Sequence, residues 1–330
     1  VECLKYILDN GCIERWRSQP LCSAAKSLAC FKYLHEERHM PLTETVADSC
    51  ASQLGSIETL RYCLEHGCPV SAGTMSSAAH FLDRIKLLRE YGCPWDERAL
   101  INSVQNLDCL RYLLDNGCPG RETVCKAAAV QNIPALKLVH KYGCPLLPEA
   151  YIGKIPIECV RFLFEQGVPW PDNACTTYAG NHDLKCLQYA REHGCPWDAE
   201  TCYYAALNGH LDCLQYAHTN GCGWSSDTTH AAVCSLSCLM YALQHGCAYL
   251  PHLTMDAFQA EQDSSGFYIL QHCSNLDNRI CNFAAKAGRL DILAACVKAG
   301  VAWHEDTVSI ASAFGHSECV EFLLAHGARV

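Results

Sequence analysis

Residues 107–119 read LDCLRYLLDNGCP, and this stretch combines a helical pattern with a helix stop. Its apolar residues recur three and four positions apart, which is the pattern of an amphipathic helix. Gly117 follows where the residue after a helix adopts left-handed backbone, and Pro119 cannot continue the helix. The stretch therefore predicts one helix and its stop.

The same helix-stop motif recurs throughout the chain. Gly-Cys-Pro occurs at residues 67–69, 92–94, 117–119, 143–145 and 194–196. Variants keep the interval at residues 11–12, 167–169, 221–222, 246–247, 300–301 and 327–328, with 24 to 27 residues between clear neighbours. Self-similarity at such a period indicates a repeat architecture.

A second helix fits between successive stops. After the proline comes a polar residue suited to cap a helix, such as Asp198 or Asp306, then an alanine-rich run, as at residues 202–206, and a turn at Gly209-His210. The repeat is therefore helix, turn, helix, loop, and its second helices are predicted to begin near residues 3, 30, 59, 84, 109, 135, 159, 186, 213, 238, 269, 292 and 319. We expect one all-α solenoid of about thirteen repeats over residues 1–330, partial at both ends and most degenerate at 248–280. Since the chain opens at Val1 within a repeat, we also expect it to be a piece of a longer protein.

Charge and hydropathy narrow the class of partner. The formal net charge is −10, and Lys and Arg are scattered rather than clustered, so we expect no nucleic-acid partner. There is no apolar run of about 18 residues to span a bilayer, and no secretory signal pattern. We expect a soluble chain without a membrane partner.

Two blocks resemble the ankyrin repeat. AALNGHLDCL at residues 205–214 and ASAFGHSECV at 311–320 are similar to its alanine pair, Gly-His turn and second helix, and AHGA at 325–328 is similar to its helix stop. The period is shorter than the family's, which is about 33 residues. The resemblance implies an α-solenoid with shortened or absent β-hairpin fingers, acting as a protein-binding scaffold or adaptor. The cysteine-rich Gly-Cys-Pro-Trp form is similar to ankyrin arrays of protists and their large viruses, which implies an intracellular source.

The 26 cysteines lie in columns set by the repeat. Pairs nine residues apart, such as Cys213 and Cys222, bracket a helix and lie roughly 13 Å apart, which is too far for a disulfide. Equivalent cysteines of adjacent repeats should lie about 8–10 Å apart, which also exceeds disulfide reach. We interpret them as free, buried packing residues of a reducing, cytoplasmic compartment. The alternative is a metal- or redox-responsive protein that uses the cysteine columns. Zinc sites are typically built from close Cys pairs, and no Cys-x-x-Cys occurs in the sequence. The nearest approach is Cys234 and Cys238, four residues apart, which is a weak signal. We therefore predict no metal ligand.

Tryptophans recur two residues after the cysteine column. This series comprises Trp95, Trp170, Trp197, Trp224 and Trp303. Each indole either caps the seam between repeats, which we favour, or contacts a partner, because Trp concentrates binding energy. The candidate partner-binding residues are therefore Trp170, Trp197 and Trp224, together with the residues that the ankyrin resemblance places on the first-helix face, Asn181, Asn208, Lys286 and Phe314.

Histidines recur in two places. His66, His193, His245 and His326 fall in a last helical turn, where a histidine can bond to the final carbonyls, and His210 and His316 fall in the Gly-His turn. No phosphate loop, dinucleotide fingerprint, metalloprotease motif or nucleophile elbow is present. Since candidate Cys and His residues repeat in every copy whereas an active site is built once, we predict no enzyme, cofactor or small-molecule substrate. A catalytic domain beyond the ends of this chain is the remaining alternative.

Overall fold

A computed structural model describes residues 1–9 and 20–328 of the chain. All regular structure in this part is helical and it contains no strand, which confirms the predicted all-α class without β-hairpin fingers. The predicted stop at Gly11-Cys12 lies outside the described residues. The residues form two compact units, Val1–Pro169 and Trp170–Val330. The single array of about thirteen repeats stays a prediction.

The first unit consists of alternating short first helices and longer second helices. Its first helices are α2 (Pro20–Ala24), α4 (Glu44–Ala51), α6 (Ala72–Ser77), α8 (Glu97–Asn102), α10 (Val124–Gln131) and a 3₁₀ turn at Pro148–Tyr151. Its second helices are α1 (Glu2–Asp9), α3 (Leu28–Lys32, continued by a π-helical turn at Tyr33–Glu37), α5 (Ile57–Glu65), α7 (Leu82–Glu90), α9 (Leu107–Asp115), α11 (Ile133–Lys141) and α12 (Ile157–Glu165). A further 3₁₀ turn, Ser103–Gln105, extends α8.

The second unit repeats this alternation. Its first helices are α13 (Ala174–Gly180), α15 (Ala199–Leu207), α17 (Thr228–Ala231, continued by a 3₁₀ turn at Ala232–Cys234), α19 (Leu253–Gln259), α21 (Arg279–Ala287) and α23 (Thr307–Ala313). Its second helices are α14 (Leu184–Glu192), α16 (Leu211–Thr219), α18 (Leu236–Gln244), α20 (Asp263–His272), α22 (Leu290–Lys298) and α24 (Ser317–Ala325).

Glycine ends most second helices of the described chain, as the sequence predicts. Gly117 has φ +74°, and the N–H of Cys118 donates to the carbonyl of Leu113 at 3.0 Å, the long bond of a Schellman stop. First helices begin instead at polar caps, such as Asp198, whose carboxylate accepts from the backbone N–H of Glu200 at 3.0 Å. Local chemistry therefore sets both ends of a typical repeat.

Small side chains fill the space between the helices of each pair. Ala205 and Ala206 of α15 and Cys213 of α16 are fully buried, so the two helices pack closely. Neighbouring first helices also share polar contacts, such as the Thr307 hydroxyl donating to the Asn282 side-chain oxygen at 2.6 Å. Each repeat thus depends on its neighbours for burial, as solenoid repeats do.

The degenerate segment departs from this pattern at its helix stop. Cys273 follows α20 where other repeats have glycine, with φ −103°, and left-handed backbone occurs instead at Asn275, with φ +61°. The second helices begin one or two residues before their predicted starts, but α20 begins at 263 rather than near 269. Because no glycine marks the end of α20, the position of this helix could not be predicted from the recurring glycine stops.

Candidate functional site

Four predicted contact residues lie at the ends of first helices in the second unit. Asn181, Asn208 and Phe314 each follow a first helix, Lys286 lies in the last turn of α21, and all four are exposed. The Asn208 amide donates to the carbonyl of Tyr204 at 3.0 Å, which caps α15. The ammonium of Lys286 lies 5.4 Å from the centre of the Phe314 ring, so these two are neighbours. Their role in binding stays a prediction.

Two further exposed side chains on this face were missed from the sequence. Tyr204 is 40% exposed and Leu207 is 41% exposed, and they lie three residues apart on the same side of α15. The Tyr203 ring meets the Tyr204 ring edge to face at 5.2 Å. The available signal was two consecutive aromatics in an alanine-rich helix that ends with a leucine.

The first-helix face of the second unit is acidic. We define it as the first helices with their flanking loop residues, 171–182, 198–209, 225–235, 251–262, 277–288 and 304–315. It contains only two cations, Arg279 and Lys286, against nine carboxylates: Asp172, Asp198, Glu200, Asp227, Asp256, Glu261, Asp277, Glu305 and Asp306. The Asp277 carboxylate pairs with Arg279 at 2.6 Å, and this hydrogen-bonded cation lowers the pKa of Asp277. A face of this sign favours a partner with basic side chains.

The three candidate tryptophans lie instead in loops that pack on the second helices. All three are half-buried. The indole N–H of Trp170 donates to the carbonyl of His193, and that of Trp224 donates to the carbonyl of His245, both at 3.2 Å. The structure therefore does not bring the tryptophans together with the exposed first-helix residues.

Trp197 and Trp224 also lie over a side chain of the preceding second helix. The guanidinium carbon of Arg191 lies 4.4 Å from the centre of the Trp197 ring, and the imidazole of His218 stacks on Trp224 with centroids 4.2 Å apart. In the first unit, Arg89 lies 3.7 Å from the Trp95 ring centre. These contacts are of the kind expected for packing between repeats, and a role in partner binding is untested.

The histidines hold helix ends through their ring nitrogens. In His66, His193, His245 and His326, Nδ1 lies 2.8 Å from the carbonyl four residues earlier. In the turns, Nε2 of His210 lies 3.2 Å from the Gly180 carbonyl, so this side chain joins one repeat to the previous one. Burial lowers the pKa of His210, and the adjacent His182 lowers it further.

The cysteines of the described residues are free thiols, and most are buried. Burial raises the pKa of Cys109 to about 11. Several thiols after a stop glycine donate to a backbone carbonyl, as Cys222 does to Asp198 at 2.9 Å. Sequence reasoning treated these cysteines as apolar and missed this weak donor role.

Contacts between different cysteine columns were not located from the sequence, because the spacing gives distances only along one helix and within one column. The sulfur atoms of Cys50 and Cys63, on the two helices of one repeat, lie 3.6 Å apart. Within residues 1–9 and 20–328, no three His, Cys, Asp or Glu side chains are grouped to hold a metal ion. The metal alternative thus gains no support.

Comparison with known proteins gives a weak likeness only. No model of a known protein family and no curated protein matches the chain. Among solved structures it is similar to the pentatricopeptide repeat protein PPR10 in complex with an 18-nucleotide psaJ RNA element, and to a cysteine-to-serine variant of that complex. Both matches have a TM-score of 0.37 and 13% identity, cover 100% of this chain, and leave it spanning about half, 52%, of PPR10.

The comparison corrects one prediction. We expected no nucleic-acid partner, but both structures are complexes with RNA, so nucleic acid is not excluded as a partner class. At this TM-score the likeness carries no conclusion about what this chain binds. No helix of the described chain is long and apolar enough to cross a membrane.

Proposed function

We propose that the protein is a non-enzymatic scaffold that binds a protein partner on the first-helix face of its second unit. The observation that carries this proposal is the combination, on one face, of nine carboxylates with the exposed Tyr204, Leu207 and Phe314. Apolar anchors bordered by charge are typical of protein-binding surfaces. The matching partner surface carries basic and apolar side chains.

The remaining features agree with a scaffold of ankyrin-like repeats. The Cys and His side chains that chemistry would need recur as packing and capping groups in copy after copy, as with His193 and His245. The Gly-His turn, with His210 reaching the previous repeat, supports the proposed relation to ankyrin arrays. Free thiols support a reducing compartment such as the cytoplasm.

The test places a photo-crosslinking p-benzoylphenylalanine at position 204, which is 40% exposed, and, in a matched control, at Tyr91, which is 43% exposed and follows the second helix α7. We expect the first-helix site to crosslink a protein in cell extract and the control not to crosslink it. The yield should fall with added salt and with the Glu200→Lys variant, because the attraction is between opposite charges.

A ribonuclease-treated arm separates partner classes. A crosslinked species that disappears with ribonuclease and contains RNA would refute a protein partner. Equal crosslinking from positions 204 and 91 would refute the assignment of the face.

A further inference from the structure

Two tryptophans of the second unit, Trp197 and Trp224, share a contact pattern. Each sits in the gap between two neighbouring second helices and lies over the side chain six residues before it. Trp224 stacks on His218 of α16, faces Tyr241 of α18 at 6.3 Å, and donates to the carbonyl of His245. We call the side chain beneath the indole, here His218, the floor of the gap. The facing tyrosine, here Tyr241, is the wall, and the backbone carbonyl that accepts from the indole, here that of His245, is the cap.

The preceding gap has the same construction. Trp197 lies over the floor residue Arg191 of α14 and meets the wall residue Tyr216 of α16 edge to face at 6.2 Å. Two consecutive gaps therefore hold an indole in the same way, with a polar, planar side chain beneath it.

The pattern breaks in the gap between α18 and α20. The corresponding loop position is Tyr249, and the floor six residues before it is Leu243. The Tyr249 hydroxyl hydrogen-bonds with the Thr254 hydroxyl at 3.1 Å and donates to the carbonyl of Pro251 at 3.3 Å. These bonds tie Tyr249 to its own loop and to the following first helix, so it does not lie across the gap as Trp224 does.

The wall and the cap of this gap are nevertheless retained. Tyr268 and His272 of α20 correspond to Tyr241 and His245, and their rings pack together with centroids 4.4 Å apart. A groove of about 580 Å³ opens here, lined by Met240, Leu243, Gln244, Tyr249, Tyr268 and His272, among others. The three positions that contact the indole in the previous repeat all line this groove.

We propose that this groove binds the indole side chain of a tryptophan from a protein partner. The chain's own repeats supply the argument, since an indole fills the equivalent space two repeats in succession. The charge of the groove supports the same ligand. No Lys, Arg, Asp or Glu is among the described lining residues, which favours a neutral aromatic group. The inference rests on the proposed function only in that a protein partner supplies the tryptophan.

The probe is N-acetyl-5-fluorotryptophanamide, titrated with the full chain and followed by the width of its fluorine NMR signal. We expect saturable binding with a dissociation constant on the order of 1 mM or tighter, as for a fragment of this size. N-acetylleucinamide at the same concentration should not displace it. The fluorine label is needed because the chain contains six tryptophans.

Two substitutions test the location. Tyr249→Trp supplies the chain's own indole at the loop position equivalent to Trp224 and should abolish probe binding. Tyr204→Trp makes the same exchange on the first-helix face and should not. His272→Ala removes the ring that packs against the wall residue Tyr268, while the backbone carbonyl of residue 272 remains, and should weaken binding at least fivefold. His326→Ala removes the equivalent side chain after α24 and should leave binding unchanged.

Each contrary result overturns the proposal. No saturable binding by the native chain, displacement by N-acetylleucinamide, or unaltered binding by both Tyr249→Trp and His272→Ala would refute an indole site here. A dimer that Tyr249→Trp converts to monomer would make a second copy of this chain the occupant instead. Since crosslinking from position 204 reports on the other face, failure of this inference and failure of the proposed function are distinguishable.

Discussion

Replacing the stop glycine Gly221 by valine tests the local chemistry on which every repeat depends. Gly221 has φ +90°, and a Cβ built there meets no atom within 4 Å, so the cost is purely that of left-handed backbone. A β-branched residue in this region should cost about 2 kcal/mol. Gly223 lies in the same loop with equally open surroundings and no left-handed φ, so Gly223→Val should be close to neutral.

The assay is hydrogen exchange of the α16 amides, read by mass spectrometry of peptides covering Leu211–Cys222. A destabilisation of about 2 kcal/mol corresponds to roughly thirtyfold faster exchange through local opening. The Cys222 amide, which donates to the Ala217 carbonyl at 3.0 Å, should show the largest change. Equal exchange rates in the Gly221→Val and Gly223→Val variants would refute the assignment of the stop.

Three further outcomes follow from the packing of the second unit and of the thiols. Cys213→Ala should lower the free energy of unfolding by roughly 1 kcal/mol and leave binding intact, measured by urea denaturation and by crosslinking from position 204; loss of folding would contradict it. Burial, and secondarily the neighbouring His245, lowers the pKa of His218, so the folded chain favours the neutral imidazole and the unfolded chain binds the proton more readily. The free energy of unfolding should therefore be fully retained above about pH 6.5 and should fall as pH drops below that value. His218→Gln should therefore reduce the loss of stability between pH 7 and 5, and an identical pH profile would refute this. Iodoacetamide should alkylate the exposed Cys234 well before the buried Cys63, because the adjacent Cys50 thiol, together with Cys68 and burial, raises the pKa of Cys63. Mass mapping that shows the reverse order would refute the burial assignment.

The sequence predicted the features that depend on local chemistry. The period, the glycine stops and the histidine caps each rest on a few consecutive residues, so Gly117 and His193 could be assigned without a structure. The 3.6 Å approach of Cys50 and Cys63 depends on how two helices pack, and neither its spacing nor its column reveals it. The exposure of Tyr204 was hidden for the same reason, because a tyrosine in an alanine-rich helix is equally compatible with burial.

The degenerate repeat shows why an irregularity inside a solenoid is the place where a binding groove can form. After α20 the stop glycine is replaced by Cys273, and no indole of the described residues covers the gap beside Leu243. Because a solenoid's stability is approximately a sum over neighbouring repeats, losing one indole contact weakens one interface without unfolding the others. The regular gap on the N-terminal side, filled by Trp224, holds the second helix α18 that forms one side of the groove, because the indole contacts Tyr241 and donates to the carbonyl of His245. A partner's indole would then complete an interface whose geometry the chain has already built, which reduces the ordering cost of binding.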